Sequence, residues 1–264
     1  MAHAREPAVH ASSDTAINSW IKASTGDTSM IVVITGMPRS GSTLSFNIAR
    51  EILGKKGRVH QEASNSLTPA LDATKGTGVD HVLIKTHDAD EDLMRRIDDG
   101  SAKSICTIRT VEDAAASLMN TFDFNSDHVI QMMMAWLRMY ERIRHKSLVL
   151  DYDDIERRPI SVARRIARYV DPECPFRHIL WAAYSFRRSR VASRFEQLQP
   201  DSPNVENIGF SYYDKDTFFH RRHVSRRAGP GIEDRLDAGE LARLRLVLGT
   251  AVSGISDPLL TMRR

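Results

Sequence analysis

Cysteine is scarce in this chain, and long apolar runs are missing. Only two of the 264 residues are cysteines, Cys106 and Cys174, which excludes a disulfide framework and suits a reducing compartment. No spacing of Cys and His typical of a metal site occurs. No apolar stretch approaches the length of a membrane-spanning helix, and the N-terminal residues contain no hydrophobic signal-peptide core. We therefore expect a cytoplasmic protein with neither a metal site nor a membrane anchor.

A strong excess of one charge is also missing. Lys and Arg number 37 against 34 Asp and Glu, which gives a formal net charge of +3 and a pI near 8.9. Such a mild excess suits an anionic small molecule, but by itself it does not indicate nucleic-acid binding. The hydrophobic content of 41% is enough for one globular core. We expect residues 1–28 to form a polar arm and residues 29–264 to form a single domain.

Short apolar, β-branched runs alternate with helical patterns along the chain. This alternation is typical of βαβ units, so the predicted fold class is α/β, with a P-loop-type central parallel sheet flanked by helices. The predicted strands are residues 30–35, 81–85, 104–108 and 147–150, with a further strand near Val59. The predicted helices are 89–98, 111–121, 126–144, 153–170, 175–197 and 234–249.

A glycine-rich loop, residues 36–43, lies between the first predicted strand and a predicted helix. Its sequence, GMPRSGST, has the outline of a Walker A loop but lacks the lysine, since Ser42 stands in that position and the cation is Arg39. Glycines allow a tight turn in which backbone N–H groups and the helix N-terminus converge on an anion. The loop therefore predicts an anion site for which a nucleoside triphosphate is not the obvious ligand.

Two further segments follow predicted strands. Lys85 and His87 are two residues apart at the end of a strand, so they point to the same face at the edge where open α/β sheets bind ligands. Arg109 ends the next strand, with Ser117 eight residues later. Thr110 and Asp113 are typical of a capping box, which would put Arg109 at a helix N-terminus, where anions are favoured.

A basic segment lies late in the chain. Arg226 and Arg227 precede Gly231, and arginine forks suit phosphate oxygens. Residues 198–230, rich in Pro, Asn, Asp, Tyr and Arg, are predicted to form a long loop over the site.

These four segments, in chain order, resemble the motifs of sulfotransferases that use 3′-phosphoadenosine-5′-phosphosulfate (PAPS). Residues 36–43 resemble the 5′-phosphosulfate loop, and residues 85–87 resemble the Lys-Thr-His element. Residues 226–231 resemble the Arg-Lys-Gly-x-x-Gly segment, with Ala228 in place of the first glycine. Ile232-Glu233 stands in place of the usual Asp-Trp, so the register is open and Arg221 or Arg222 is an alternative to Arg226 and Arg227. Leu44 stands where many members carry a tryptophan that stacks on adenine, which leaves Tyr184 and Phe186 as candidates for that contact.

The resemblance implies transfer of a sulfuryl group from PAPS to a hydroxyl or amine of a small-molecule acceptor, with adenosine 3′,5′-bisphosphate as the product. It implies that His87 is the catalytic base, and charge development makes Lys85 and Arg39 the candidates for stabilising the leaving oxygen. The residues implied to bind the 5′-phosphate are Arg39, Ser40, Gly41, Ser42 and Thr43. Those implied to bind the 3′-phosphate are Arg109, Ser117, Arg226, Arg227 and Gly231. No metal, membrane or nucleic-acid partner is expected, and the acceptor and oligomeric state are left open.

Two other classes of function are compatible with parts of the sequence. A P-loop small-molecule kinase would need Mg²⁺ and normally the missing lysine. A non-catalytic nucleotide- or polyanion-binding protein could instead use the arginines at positions 187, 188, 190, 194, 221, 222, 226 and 227. An intact pair of Lys85 and His87 favours catalysis over simple binding.

Overall fold

A five-stranded parallel sheet forms the centre of the computed structural model, which describes residues 30–196, 198–207, 212–220, 231–234, 236–255, 257 and 260–262. The sheet order is β2-β3-β1-β4-β5. The strands are β1 (Met30–Ile34), β2 (Val59–Ala63), β3 (His81–Lys85), β4 (Ala102–Ile108) and β5 (Ser147–Asp151). The predicted arm, residues 1–28, lies outside the described residues, as do Arg226 and Arg227.

Helices cover both faces of the sheet. They are α1 (Ser42–Leu53), α2 (Thr68–Thr74), α3 (Glu91–Asp98), α4 (Val111–Phe122), α5 (Ser126–Ile143), α6 (Tyr152–Arg157), α7 (Pro159–Val170), α8 (Phe176–Ser185), α9 (Arg188–Glu196) and α10 (Ala238–Ile255). A short antiparallel pair, β6 (Val205–Asn207) and β7 (Tyr212–Asp214), forms a second small sheet. The predicted α/β fold with a central parallel sheet is thus confirmed.

Three predicted helices differ from the structure by more than two residues at an end or are divided in two, whereas the other three agree within two residues. The predicted helix 153–170 is two helices, because Arg158 takes a non-helical backbone before Pro159, which begins α7. The predicted helix 175–197 is also two, because the backbone leaves the helical conformation at Phe186, whose side chain is buried. The predicted helix 234–249 begins later and ends later, as α10.

Successive side chains of β1 point to opposite faces of the sheet, and each face packs against its own layer of the hydrophobic core. Ile31 and Val33 pack on one face of the sheet, against α3, α4, α5 and α10. Val32 and Ile34 pack on the other face, against α1, α7 and α8. Among the helices that the structure describes, none combines the length and the apolar character that a membrane span requires.

The strand order places the ends of β3 and β4 beside the end of β1. Ile34 is in register with Lys85 of β3 and with Ile105 of β4. Trp136 of α5 is fully buried and donates from Nε1 to the carbonyl oxygen of Thr35, at 2.9 Å. The sheet and α5 therefore fix the start of the glycine-rich loop from three sides.

Candidate active site

The glycine-rich loop turns sharply after β1. Arg39 and Gly41 have left-handed backbones, with φ of 66° and 86°. The buried hydroxyl of Ser40 lies 2.6 Å from the carbonyl oxygen of Met37 and 2.6 Å from Thr107 Oγ1 of β4. Ser40 thus holds the loop in shape, while the backbone N–H groups around Gly41 lie at the start of α1.

Position 36 must be glycine because atoms of neighbouring residues lie where a side chain would begin. A Cβ added there would lie 2.1 Å from Thr107 Oγ1 and 2.5 Å from the Cβ of Ser42, distances that no side chain tolerates. The sequence pattern predicted a tight loop, and the structure gives the reason, which is the packing of Gly36 between β4 and the first turn of α1.

The N-terminus of α1 is suited to an anion. Ser42 and Thr43 occupy its first turn, which contains no acidic residue that would neutralise the positive end of the helix. The next turn is tied to a later segment, because Asn47 Nδ2 donates to the carbonyl oxygens of Thr43 and Thr217, both at 2.8 Å. Part of the predicted loop 198–230 therefore packs directly on α1.

Lys85 and His87 lie beside this loop. His87 Nδ1 is 2.6 Å from the carbonyl oxygen of Gly36, which can only accept, so Nδ1 carries the hydrogen and Nε2 has the lone pair. Lys85 Nζ lies 3.4 Å from that Nε2. Burial, together with the ammonium of Lys85, lowers the pKa of His87 to about 3, so the imidazole is neutral at pH 7.

Within the described residues, no carboxylate compensates the charge of Lys85. Burial and the nearby Arg39 guanidinium lower the pKa of Lys85 to about 8. Across the described segments, no Asp or Glu forms an ion pair with Lys85. Because buried cations normally have an acidic partner, this environment indicates that an anion belongs here.

Arg39 contacts both of the residues that follow β4 in the predicted motif. Its Nε donates to Ser117 Oγ at 3.0 Å, and its carbonyl oxygen accepts from Arg109 Nη1 at 3.4 Å. Arg109 also stacks on Tyr152, with Cζ 4.4 Å from the ring centroid. Burial, with the charge of Arg109 next, lowers the pKa of Arg39 to about 10. Arg39, which was predicted to bind the 5′ end of the donor, therefore lies next to Arg109 and Ser117, which were predicted to bind the 3′-phosphate.

The remaining predicted residues show mixed outcomes. Thr110 precedes α4 as predicted, but its side chain caps no backbone N–H and instead donates to Asp113 Oδ2 at 2.5 Å, so the predicted capping box is wrong in that detail. The backbone N–H of Gly231 donates to Asp234 Oδ2 at 2.9 Å. Phe186 is buried in the core next to α1, which does not suit adenine stacking.

His220 is a member of the site that the sequence did not single out. Its ring lies 5.4 Å from the ring of Tyr213 and 6.3 Å, edge-on, from that of Phe122, and Phe122 lies 5.8 Å from Cζ of Arg39. Burial, with the charges of Lys85 and Arg39, lowers the pKa of His220 to about 4. The only sequence signal was its place in the predicted loop 198–230, beside a run of arginines.

Comparisons with known proteins support the fold. No protein-family model matches the chain, and no curated protein sequence matches it. The structure is similar to that of mouse sulfotransferase SULT7A1 complexed with PAP, with a TM-score of 0.61 and 12% identity over 91% of this chain and 90% of that one. It is also similar to retinol dehydratase in complex with androsterone and the inactive cofactor PAP, with a TM-score of 0.54 and 13% identity over 92% and 84% of the two chains. At such identities the likeness establishes a shared fold, which is that of these PAP-bound proteins.

Proposed function

We propose that this chain is a sulfotransferase that moves a sulfuryl group from PAPS to a hydroxyl or amine of a small-molecule acceptor. The observation that carries the proposal is the partly buried Lys85, which has no carboxylate partner in the described segments and lies beside both a neutral His87 and the anion-binding loop. The fold shared with two PAP-bound proteins and the order of the four motifs point to the same donor.

The donor would bind along the edge formed by the ends of β1, β3 and β4. The positive end of α1 and the loop at Arg39–Thr43 suit the 5′-phosphosulfate group. Arg109 and Ser117 suit the 3′-phosphate, and Arg226, Arg227 and Gly231 are proposed to complete that end. We also propose that the loop 198–230 closes over the donor, which the contact between Asn47 and Thr217 supports.

The proposed chemistry uses the charges of this site directly. As the bond from sulfur to the bridging phosphate oxygen breaks and the bond to the acceptor oxygen or nitrogen forms, negative charge develops on the bridging oxygen. Lys85 and Arg39 are the cations that would stabilise it. His87 Nε2 would take the proton of the acceptor, because Nδ1 is held by Gly36. Before this proton transfer, Lys85 must turn away from His87 Nε2 and towards the bridging oxygen. The lone pair on Nε2 is then available to accept the proton.

The main competing hypothesis is that the chain is a P-loop small-molecule kinase. The missing Walker lysine at Ser42 weakens it, because that lysine normally contacts the β- and γ-phosphates.

Calorimetry separates the two readings. The full chain should bind adenosine 3′,5′-bisphosphate without Mg²⁺, and should bind ATP much more weakly. Incubation with sulfur-labelled PAPS and a metabolite extract should then give a labelled product. ATP affinity that equals bisphosphate affinity and depends on Mg²⁺ would overturn the proposal.

A further inference from the structure

Helix α8 exposes an unusual amount of apolar surface. Phe176, Leu180, Trp181 and Tyr184 are 56%, 37%, 54% and 44% exposed. Phe176, Leu180 and Tyr184 are four residues apart, so they form one line along the helix, and Trp181 adjoins this line three residues before Tyr184. We call these four side chains the α8 stripe.

The opposite face of α8 is also apolar, and it already packs in the protein. Ile179, Ala182 and Ala183 are buried against the core layer that contains α1 and α7. A surface helix normally carries polar residues on its outer face, whereas α8 is apolar on both. The α8 stripe is therefore not needed for the core, and exposed apolar side chains grouped in this way are typical of interaction surfaces.

Arginines flank the stripe. Arg187 and Arg190 both stack on Tyr184, each with Cζ 4.2 Å from the ring centroid, and Arg177 is exposed on α8 itself. Within the described segments none of these three arginines forms an ion pair. The nearby acids Asp171 and Glu173 both pair with Lys56, whose Nζ lies 2.7 Å from Asp171 Oδ1 and 3.6 Å from Glu173 Oε2.

We propose that the α8 stripe binds the surface of a membrane that contains anionic lipids. Trp, Tyr and Phe prefer the headgroup region, Leu adds apolar area, and uncompensated arginines attract anionic headgroups. The sequence-based expectation of no membrane contact rested on the lack of spanning segments, and a peripheral surface contact needs none. The proposal is independent of the proposed catalysis, since it uses neither the glycine-rich loop nor Lys85 nor His87; it does assign Tyr184, an adenine candidate from the sequence, to the membrane surface instead.

Two other occupants fit the stripe less well. A second copy packed by a twofold axis would bring Arg177, Arg187 and Arg190 close to the same arginines of its partner, which is unfavourable. Single-stranded RNA would need stacking platforms, but Leu180 in the middle of the stripe offers no ring, and the ring of Tyr184 is already covered by arginines.

The test is sedimentation of the full chain with vesicles of phosphatidylcholine, with and without phosphatidylglycerol. The protein should bind the mixed vesicles, and less so at high salt. Phe176→Ser combined with Trp181→Ser should reduce the partition coefficient by roughly ten- to a hundredfold, as expected for two large side chains that are partly buried in lipid. The matched control is Leu246→Ser on α10, because Leu246 is 70% exposed but lies outside the stripe, and it should bind like the wild type.

A second pair of variants tests the charge. Arg187→Gln with Arg190→Gln should weaken binding to the mixed vesicles by roughly 30-fold, at about 1 kcal/mol for each arginine near the surface. The control is Arg95→Gln with Arg142→Gln, which gives the same net charge. These residues lie on α3 and α5, on the other face of the sheet, so their replacement should change vesicle binding little.

Fluorescence gives an independent measurement. In a Trp20→Phe protein, the buried Trp136 should not respond to lipid, whereas Trp181 should shift to the blue on addition of mixed vesicles. Absence of binding, or equal losses in the stripe variant and in Leu246→Ser, would overturn the proposal. The proposal would also be overturned if the protein forms a concentration-dependent dimer that the stripe variant abolishes. The same holds if it binds RNA but not vesicles, and the stripe variant abolishes the RNA complex.

Discussion

Replacing Lys85 with Met should make the protein more stable while removing donor binding. Lys85 is partly buried at the end of β3, and its pKa is lowered from 10.5 to about 8 by this loss of solvent and by Arg39. The folded protein therefore pays a free energy for keeping this ammonium charged at neutral pH. Met has a similar length and no charge, so Lys85→Met removes that unfavourable contribution.

The magnitude follows from the two pKa values. A tenfold change in an ionisation constant is worth about 1.4 kcal/mol, so the lowering to about 8 corresponds to about 3 kcal/mol of destabilisation below pH 8. Between about pH 8 and pH 10.5 the unfolded chain holds the proton and the folded protein does not, so the wild type gains stability as the pH rises. The advantage of Lys85→Met should therefore be greatest near pH 7 and should vanish near pH 10.5.

Urea unfolding of both proteins between pH 7 and pH 10.5 measures this difference. The control is Lys55→Met, since Lys55 is exposed and its replacement should shift stability little at either pH. Saturating adenosine 3′,5′-bisphosphate should stabilise the wild type but stabilise Lys85→Met much less. A variant that is less stable than the wild type at pH 7, or a difference that does not change with pH, would refute the reasoning.

Two further predictions concern single residues of the site. His87→Gln should lower turnover by roughly 10² to 10⁴, the usual contribution of a positioned base, while calorimetry shows nearly unchanged affinity for the bisphosphate; near-normal turnover would place the base elsewhere. Arg109→Ala should weaken binding of adenosine 3′,5′-bisphosphate roughly ten- to a hundredfold but hardly change that of adenosine 5′-monophosphate, whereas Thr43→Ala should weaken both. Equal losses for the two ligands in a folded Arg109→Ala protein would contradict the assignment of Arg109 to the 3′-phosphate.

Features with local causes were predictable from the sequence. The loop from Gly36 to the start of α1 follows from a buried strand, two glycines and a helix, all within a short segment. Lys85 and His87 come to the same place because the period of a strand puts residues two apart on one face. The break before Pro159 was also visible in principle, because a residue that precedes proline avoids the helical conformation.

Contacts that depend on strand order could not be predicted. Arg39 meets Ser117 only because β4 is the direct neighbour of β1, and the sequence does not state which strands are adjacent. His220 reaches the site through an antiparallel bridge to Tyr213, so its position depends on how a late segment folds back on α1. The division between α8 and α9 at Phe186 has no Pro or Gly to mark it and depends on burial of that ring.

The low pKa of His87 has a direct consequence for the order of events. A base with a pKa near 3 is a weak proton acceptor, and it is weak because His87 is partly desolvated and lies beside the cations Lys85 and Arg39. Catalysis by a base is most efficient when its pKa lies near the working pH. A bound anion of several negative charges would offset both cations and raise the pKa of His87 towards neutrality. The same anion would draw Lys85 away from Nε2, which is 3.4 Å from the ammonium in its absence. In the proposed mechanism the uncompensated charge would therefore do more than attract the donor, because it would keep the proposed base inactive until the donor has bound.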